Sequence, residues 1–386
     1  MRNIKHFSYA PISEATPVDA RSHSTLITPN SSLLTHLSSL LTFLLFFSAC
    51  DNDGGATTET FDRKEMLKSY ADFVIKPAFT GLQSKVDALQ VAFNEYDNAP
   101  SPTNQGNLET AHAAAWLAFQ DANAFNFGPA GESGVKKGLV EEIGTFPANT
   151  AQIEAFITAG DLSLNNFNRD TRGFPTLEYL LYVETNGSLE NAARRAYFKA
   201  VLNHLKAQVD NVVTAWDTYA AGFADNNGTD AGSSTSMLYN EFVRSFEAVK
   251  NFKVGLPAGK RPGQTAAAPE LAEGYYSDQT LNLLKAHLKA IDVIYHGNAN
   301  VNGFDAYLKT ITGGETLVAD TEAQWNVVMQ ALNAVPTDQP FSVLLQQNHP
   351  SIDTLHTELQ RHTRFFKSEM SSLLGIAITF SSGDGD

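Results

Sequence analysis

The sequence predicts an all-α fold of two helical-bundle domains. Three observations carry this expectation. Apolar residues recur every three or four positions over most of the chain, no alternating strand pattern of useful length sits between hairpin turns, and Gly, Pro, Asn and Asp gather where the helical period stops. With 386 residues, 43% of them apolar, there is material for about two cores at the usual ~150 residues per domain.

The first element is an export signal, not a bundle helix. The apolar run from Leu37 to Ala49 in LSSLLTFLLFFSAC is shorter than the ~20 residues that cross a bilayer and suits a secretory core. Ser48 and Ala49 before Cys50 look like a bacterial lipobox, so residues 1–49 are expected to be removed and Cys50 to carry the lipid. Arg2, Lys5 and Arg21 lie far from the apolar core, as an over-extended start site would leave them. Residues 50–60, polar and containing glycine, then serve as a flexible tether. As the only cysteine, Cys50 also excludes an intramolecular disulfide and any Cys-based zinc or iron–sulfur site.

The first bundle is expected over 61–230. Its helices are Arg63–Tyr96 interrupted at Pro77, Leu108–Phe125, Thr176–Val183, and a long one from Asn191 to Tyr219 with Phe198, Val201, Leu205, Val209, Val212, Trp216 and Tyr219 on one face. The stretch GFADNNGTDAGSS (222–234) is the best boundary. A second bundle over 235–386 follows, with helices Ser236–Val254, Ser277–Tyr295, Thr321–Val335, and a last one striped by Ile352, Leu355, Leu359, His362, Phe366, Met370 and Leu373. Other breaks fall at 98–107, 127–134, 255–269 and 296–303.

Charge narrows the partners. Lys and Arg number 27 against 42 Asp and Glu, a net −15; removing 1–49 leaves 24 against 40, or −16, so the acidity belongs to the folded body. Nucleic acid, which needs clustered positive charge, is excluded as a partner. The membrane is a partner only through the lipid on Cys50, whose buried methylenes anchor a body that its charge alone would not hold there.

Catalytic spacings are scarce. There is no HExxH and no GxSxG, and GLPAGKRPG lacks the GK[ST] of a phosphate loop. The one ExxH, Glu109 to His112, lacks the second copy that a di-iron bundle requires and is expected on a solvated helix face. His356, Glu358 and His362 share the last long helix; His362 lies on its apolar stripe and reads as a hydrogen-bonded core histidine. His204, His287, His296 and His349 have no partner at ligand spacing.

The densest constellation is Arg169 to Tyr179. Pro175 suits the first turn of a helix, and Glu178 favours the positive end of that helix dipole. Pairing of Asp170 with the arginines is the plain alternative. Phe174, Leu177, Leu180 and Leu181 pack the helix into the core, so Glu178 is expected to be partly buried and to need a cation or a basic partner.

These residues resemble the imelysin-like family, whose hallmark is GxHxxE at a helix start. Gly173-Phe174-Pro175-Thr176-Leu177-Glu178 is similar to its GFPxxE variant, with Pro175 in place of the histidine. WLAFQDANAFNFGPA (116–130), KVGLPAG (253–259), GYYSDQTL (274–281) and LLGIAITFSSGDGD (373–386) resemble further family segments, in the expected order. The resemblance implies an exported all-α protein of two bundles with the motif near their interface, linked to iron-regulated uptake and also catalogued as a metallopeptidase. Gly173 and Glu178 carry over; the histidine's role does not.

The expectation that follows is a cell-envelope lipoprotein that binds and does not catalyse, working in iron acquisition on the periplasmic or surface side of the outer membrane. Its ligand is iron, haem or an iron chelate. Glu178 is the charged centre, Arg172 and Lys253 its basic partners, and Ser277 and Tyr179 hydrogen-bonders; Asp384 and Asp386 could add hard oxygen ligands for iron or another divalent cation. The alternative is a metallopeptidase drawing His356, Glu358 and His362 to Glu178.

Overall fold

The computed structural model describes residues 61–133, 137–165, 167–183 and 189–380. The signal, the tether, Cys50, Asp384 and Asp386 lie outside the described residues. Within them the elements of regular structure are helical apart from one two-residue antiparallel ladder, Gly297–Asn298 against Val301–Asn302.

Helix α1, Arg63–Tyr70, starts where the Asp62 carboxylate accepts from the Glu65 amide at 2.9 Å. It passes through a π-helical turn, Ala71–Ile75, into α2, Lys76–Asn98. The break expected at Pro77 is therefore absent. In a regular helix the ring would collide with the carbonyl four residues back, and the wider turn before it relieves that clash. Helix α3, Pro102–Asn123, begins six residues before Leu108 because Ser101 caps the Asn104 amide and Pro102 takes the first position. The short helices α4, Leu139–Gly144, and α5, Thr150–Ala159, lead to the motif helix α6, Phe174–Tyr182, and to α7, Ala192–Asp225.

Helix α8, Ser234–Ala248, capped by Ser233, continues as a π-helical segment, Val249–Gly255. Then come α9, Thr280–His296; α10, Phe304–Lys309; α11, Gly314–Asn333; α12, Phe341–Gln346; and α13, Pro350–Arg364. A further π turn, Phe365–Glu369, joins α13 to α14, Met370–Leu374. No helix among the described residues is long and apolar enough to cross a membrane.

Packing crosses the expected boundary. Helix α2 lies against α3 and α7, but α3 also packs on α9 and α1 on α8. Residues 58–386 cluster as one compact unit, so the division into bundles 61–230 and 235–386 is not confirmed. This crossing is what brings α6 to the turn before α9.

Candidate functional site

The motif begins with a glycine that nothing can replace without movement. Gly173 has φ +82°, and a Cβ on it would stand 2.3 Å from the Ile143 carbonyl oxygen. Pro175 sits buried in the first turn of α6. His112, expected on a solvated face, is instead 1% exposed, with Nε2 at 3.1 Å from the Phe174 carbonyl oxygen. Burial pushes its imidazole down to about 4, against the opposing pull of that hydrogen bond. The ring is therefore neutral and donates through Nε2, pinning the start of α6 to α3. Trp116 stacks on Phe174 in the same place, their planes 8° apart.

One turn on, Glu178 is 2% exposed. Its Oε1 accepts from the Ser277 amide at 2.8 Å and from the Ser277 hydroxyl at 2.5 Å. Burial dominates its titration and raises it to about 7; the Ser277 hydrogen bonds resist and the neighbouring Glu273 charge adds to the rise.

The expected basic partners are committed elsewhere. Lys253 Nζ lies 2.6 Å from Glu273 Oε2 and donates to Gln120 Oε1 at 2.5 Å, while Gln120 Nε2 reaches Glu273 Oε1 at 3.3 Å. All three side chains are buried. Burial lowers the Lys253 ammonium, and the Glu273 carboxylate works against that. Arg172 does not face Glu178 either. It pairs with Glu142, Nη2 to Oε2 at 2.7 Å, and donates to the Leu164 carbonyl, because the chain turns at Gly173 and leaves the preceding side chain directed toward α4. Burial disfavours the Glu142 charge, but His204, Arg172 and Arg169 outweigh it and hold the carboxyl at about 2. The Tyr179 hydroxyl donates to Glu154 Oε1 at 2.8 Å, and its ring, 5.7 Å from that of Tyr276, borders the Ser277 turn.

Beside the Lys253 cluster opens a cleft of about 550 Å³. Lys253, Arg244, Asn251, His287, Ser245 and Glu241 are among its lining residues; Glu178 is not. His287 Nε2 is 2.6 Å from the Ser245 hydroxyl, and burial, reinforced by the Lys253 charge, pushes His287 well below its ordinary value. Burial raises Glu241 to about 7 despite Arg244 beside it. The Asn251 Nδ2 is buried and makes no hydrogen bond among the described residues. Sequence spacing does not point to Gln120, Glu273 or His287, although Gln120 lies inside the WLAFQ segment and Glu273 immediately precedes GYYS.

The ligand set of the peptidase alternative is not assembled. His362 is fully buried among Phe246, Trp325, Phe365 and Phe366, neither ring nitrogen has a hydrogen-bond partner among the described residues, and burial drives it down to about 3. It is a core histidine, as its stripe implies, but not a hydrogen-bonded one. Glu358 instead accepts from Gln324 at 2.9 Å and from Arg361 at 2.6 Å. His356 is half-buried on another face. Among the described residues, no three-ligand group contains Glu178 or any of these three. A catalytic zinc needs three protein ligands, and here Pro175 offers no donor and Ser277 occupies Glu178 Oε1, so the motif does not fit that ion.

Comparison with known proteins agrees with this fold. The chain is 21% identical over 303 residues to iron-regulated protein A of Synechococcus elongatus, covering 75% of this chain and 79% of that one. An iron-regulated protein A precursor from Parabacteroides distasonis superposes with a TM-score of 0.68 at 18% identity, over 83% of this chain and 97% of its own. An imelysin-like protein from Psychrobacter arcticum gives 0.68 at 20% identity, over 84% and 98%. The model of the Imelysin family, also designated peptidase M75, matches residues 75–362, and the chain belongs to that family.

Proposed function

We propose that the protein is a non-catalytic binding component of iron acquisition in the cell envelope, held by a lipid on Cys50, and that its ligand is an oxygen-rich iron chelate seated in the 550 Å³ cleft. The observation that carries this reading is the cleft itself. Its volume falls in the range of small-molecule sites, and it presents a buried amide donor, Asn251 Nδ2, that has no protein partner among the described residues. Arg244 and Lys253 bring N–H donors to a lining that also holds the carboxylates of Glu141, Glu241 and Glu247. The iron-regulated relatives supply the context for the metal.

Calorimetry with ferric citrate, haem and ferric ion tests the proposal. Saturable binding of the chelate is expected, weakened about tenfold or more in Asn251→Leu and Arg244→Met. Absence of binding to all three, together with expression that ignores iron supply, would overturn it.

A further inference from the structure

Helix α9 ends on His296, and the chain reverses through the short ladder to begin α10 at Phe304. Gly297 has φ +74°, and a Cβ on it would stand 1.9 Å from the Val301 carbonyl oxygen; one on Gly303 would stand 2.2 Å from that of Tyr295. The reversal is tight enough to return Asp305 to the side of His296. Helix α11, packed on α10, contributes Glu322. One ligand atom from each of His296, Asp305 and Glu322 lies within 4.8 Å of the other two. Spacing in the sequence gives His296 no partner, because Glu322 arrives from another helix.

From this geometry we infer that His296, Asp305 and Glu322 form a site for a divalent first-row transition metal, one that shares no residue with the cleft or the Glu178 cluster. Asp305 is 9% exposed; Lys309 Nζ takes its Oδ2 at 3.0 Å, while the buried Oδ1 has no hydrogen-bond partner among the described residues. A buried carboxylate oxygen left in that condition is costly unless something occupies it. The His296 ring has a carboxylate near each nitrogen: Nε2 lies 3.5 Å from Asp292 Oδ1, and Nδ1 lies 4.0 Å from Asp305 Oδ2. A carboxylate on one nitrogen with the other turned to the site is how metal-bound imidazoles are held.

The donor set, one imidazole with two carboxylates, suits zinc, manganese or iron(II) better than calcium or magnesium. Tetrahedral bonds of about 2.1 Å place ligand atoms about 3.4 Å apart, so the trio closes by roughly 1 Å when the ion enters. Glu322 is only half-buried, and its longer side chain is the one free to make that movement.

Zinc is the probe, because it has no redox chemistry to confuse the readout. Calorimetry on the metal-free full chain is expected to show one equivalent of Zn²⁺ bound with a rise in Tm. His296→Gln and Glu322→Gln each weaken it tenfold or more. Lys309→Met, which removes the ammonium from Asp305, tightens it and guards against reading a folding defect as lost binding. Arg244→Met and Glu178→Gln leave zinc affinity unchanged, so failure here is separable from failure of the cleft. No zinc uptake, or uptake indifferent to both His296→Gln and Glu322→Gln, overturns the assignment.

Discussion

Glu178 is where burial, charge and motif meet in one side chain. Its carboxyl titrates near 7 in the folded chain, above the ordinary value of 4.5. The unfolded chain therefore gives up this proton first as pH rises, and the folded state loses stability progressively until pH 7, by about 3 kcal/mol in all. Glu178→Gln keeps an acceptor for both Ser277 donors and removes the titration. Urea unfolding at pH 5 and pH 8 is expected to show the wild type losing stability over that interval relative to the variant; equal slopes would contradict the burial argument. His362 runs in the opposite direction. Its folded value, about 3, lies below the ordinary 6.5, so stability is lost as pH falls below 6.5, by about 3 kcal/mol at pH 4.5. His362→Leu, close in volume, should fold normally at pH 7 and resist acid better, as measured by ellipticity between pH 7 and pH 4. A ligand histidine of a peptidase would instead be needed for activity. Burial of Glu178 and His362 is legible in the sequence, because both sit in apolar helical patterns. Their partners are not, since Ser277 lies 99 positions from Glu178 and no periodicity relates them.

Elements decide which charges meet. The π-helical segment Val249–Gly255 ends α8 out of α-helical register, and its last residue has no room for a side chain: a Cβ on Gly255 would stand 2.8 Å from the Lys250 carbonyl oxygen and 3.2 Å from His356 Nε2. That close approach of α13 fixes where Lys253 points, into Glu273 and Gln120 and not toward Glu178. Spacing predicts one helix over Ser236–Val254, which is right in extent, but a change of register inside a helix leaves no trace in the apolar period and reassigns the lysine. Lys253→Met should cost about 3–5 kcal/mol, because it strands the Glu273 charge in the core. The double variant Lys253→Met/Glu273→Leu should recover most of that loss, and the two melting curves read out the coupling. Gly173→Ala tests the other end of the site. With positive φ and the Ile143 carbonyl in the way, it should cost roughly 2–4 kcal/mol by thermal denaturation, whereas Gly222→Ala, with open space around it in α7, should cost nothing.

At the scale of the whole molecule, the question is whether 61–230 and 235–386 unfold together. The polar linker 222–234 reads as a domain boundary, and local composition is all that a sequence shows there. What opposes a boundary is long-range: Arg63 Nη1 donates to the Tyr307 hydroxyl at 3.1 Å, Gln120 and Lys253 share Glu273, and Ser277 holds Glu178. Several of these groups are buried and charged, so separating the two halves would strand them without partners, at a cost of several kcal/mol each. Such coupling makes partial unfolding unfavourable and predicts one cooperative transition. The three tryptophans allow a direct test, since Trp116 and Trp216 report on the first half and Trp325 on the second. In Trp325→Phe, fluorescence follows the first half alone while far-UV ellipticity follows both. Coincident urea curves are expected; fluorescence that changes at a different midpoint would restore the two-bundle reading and would mean that the Glu178–Ser277 and Lys253–Glu273 contacts are too weak to join the halves.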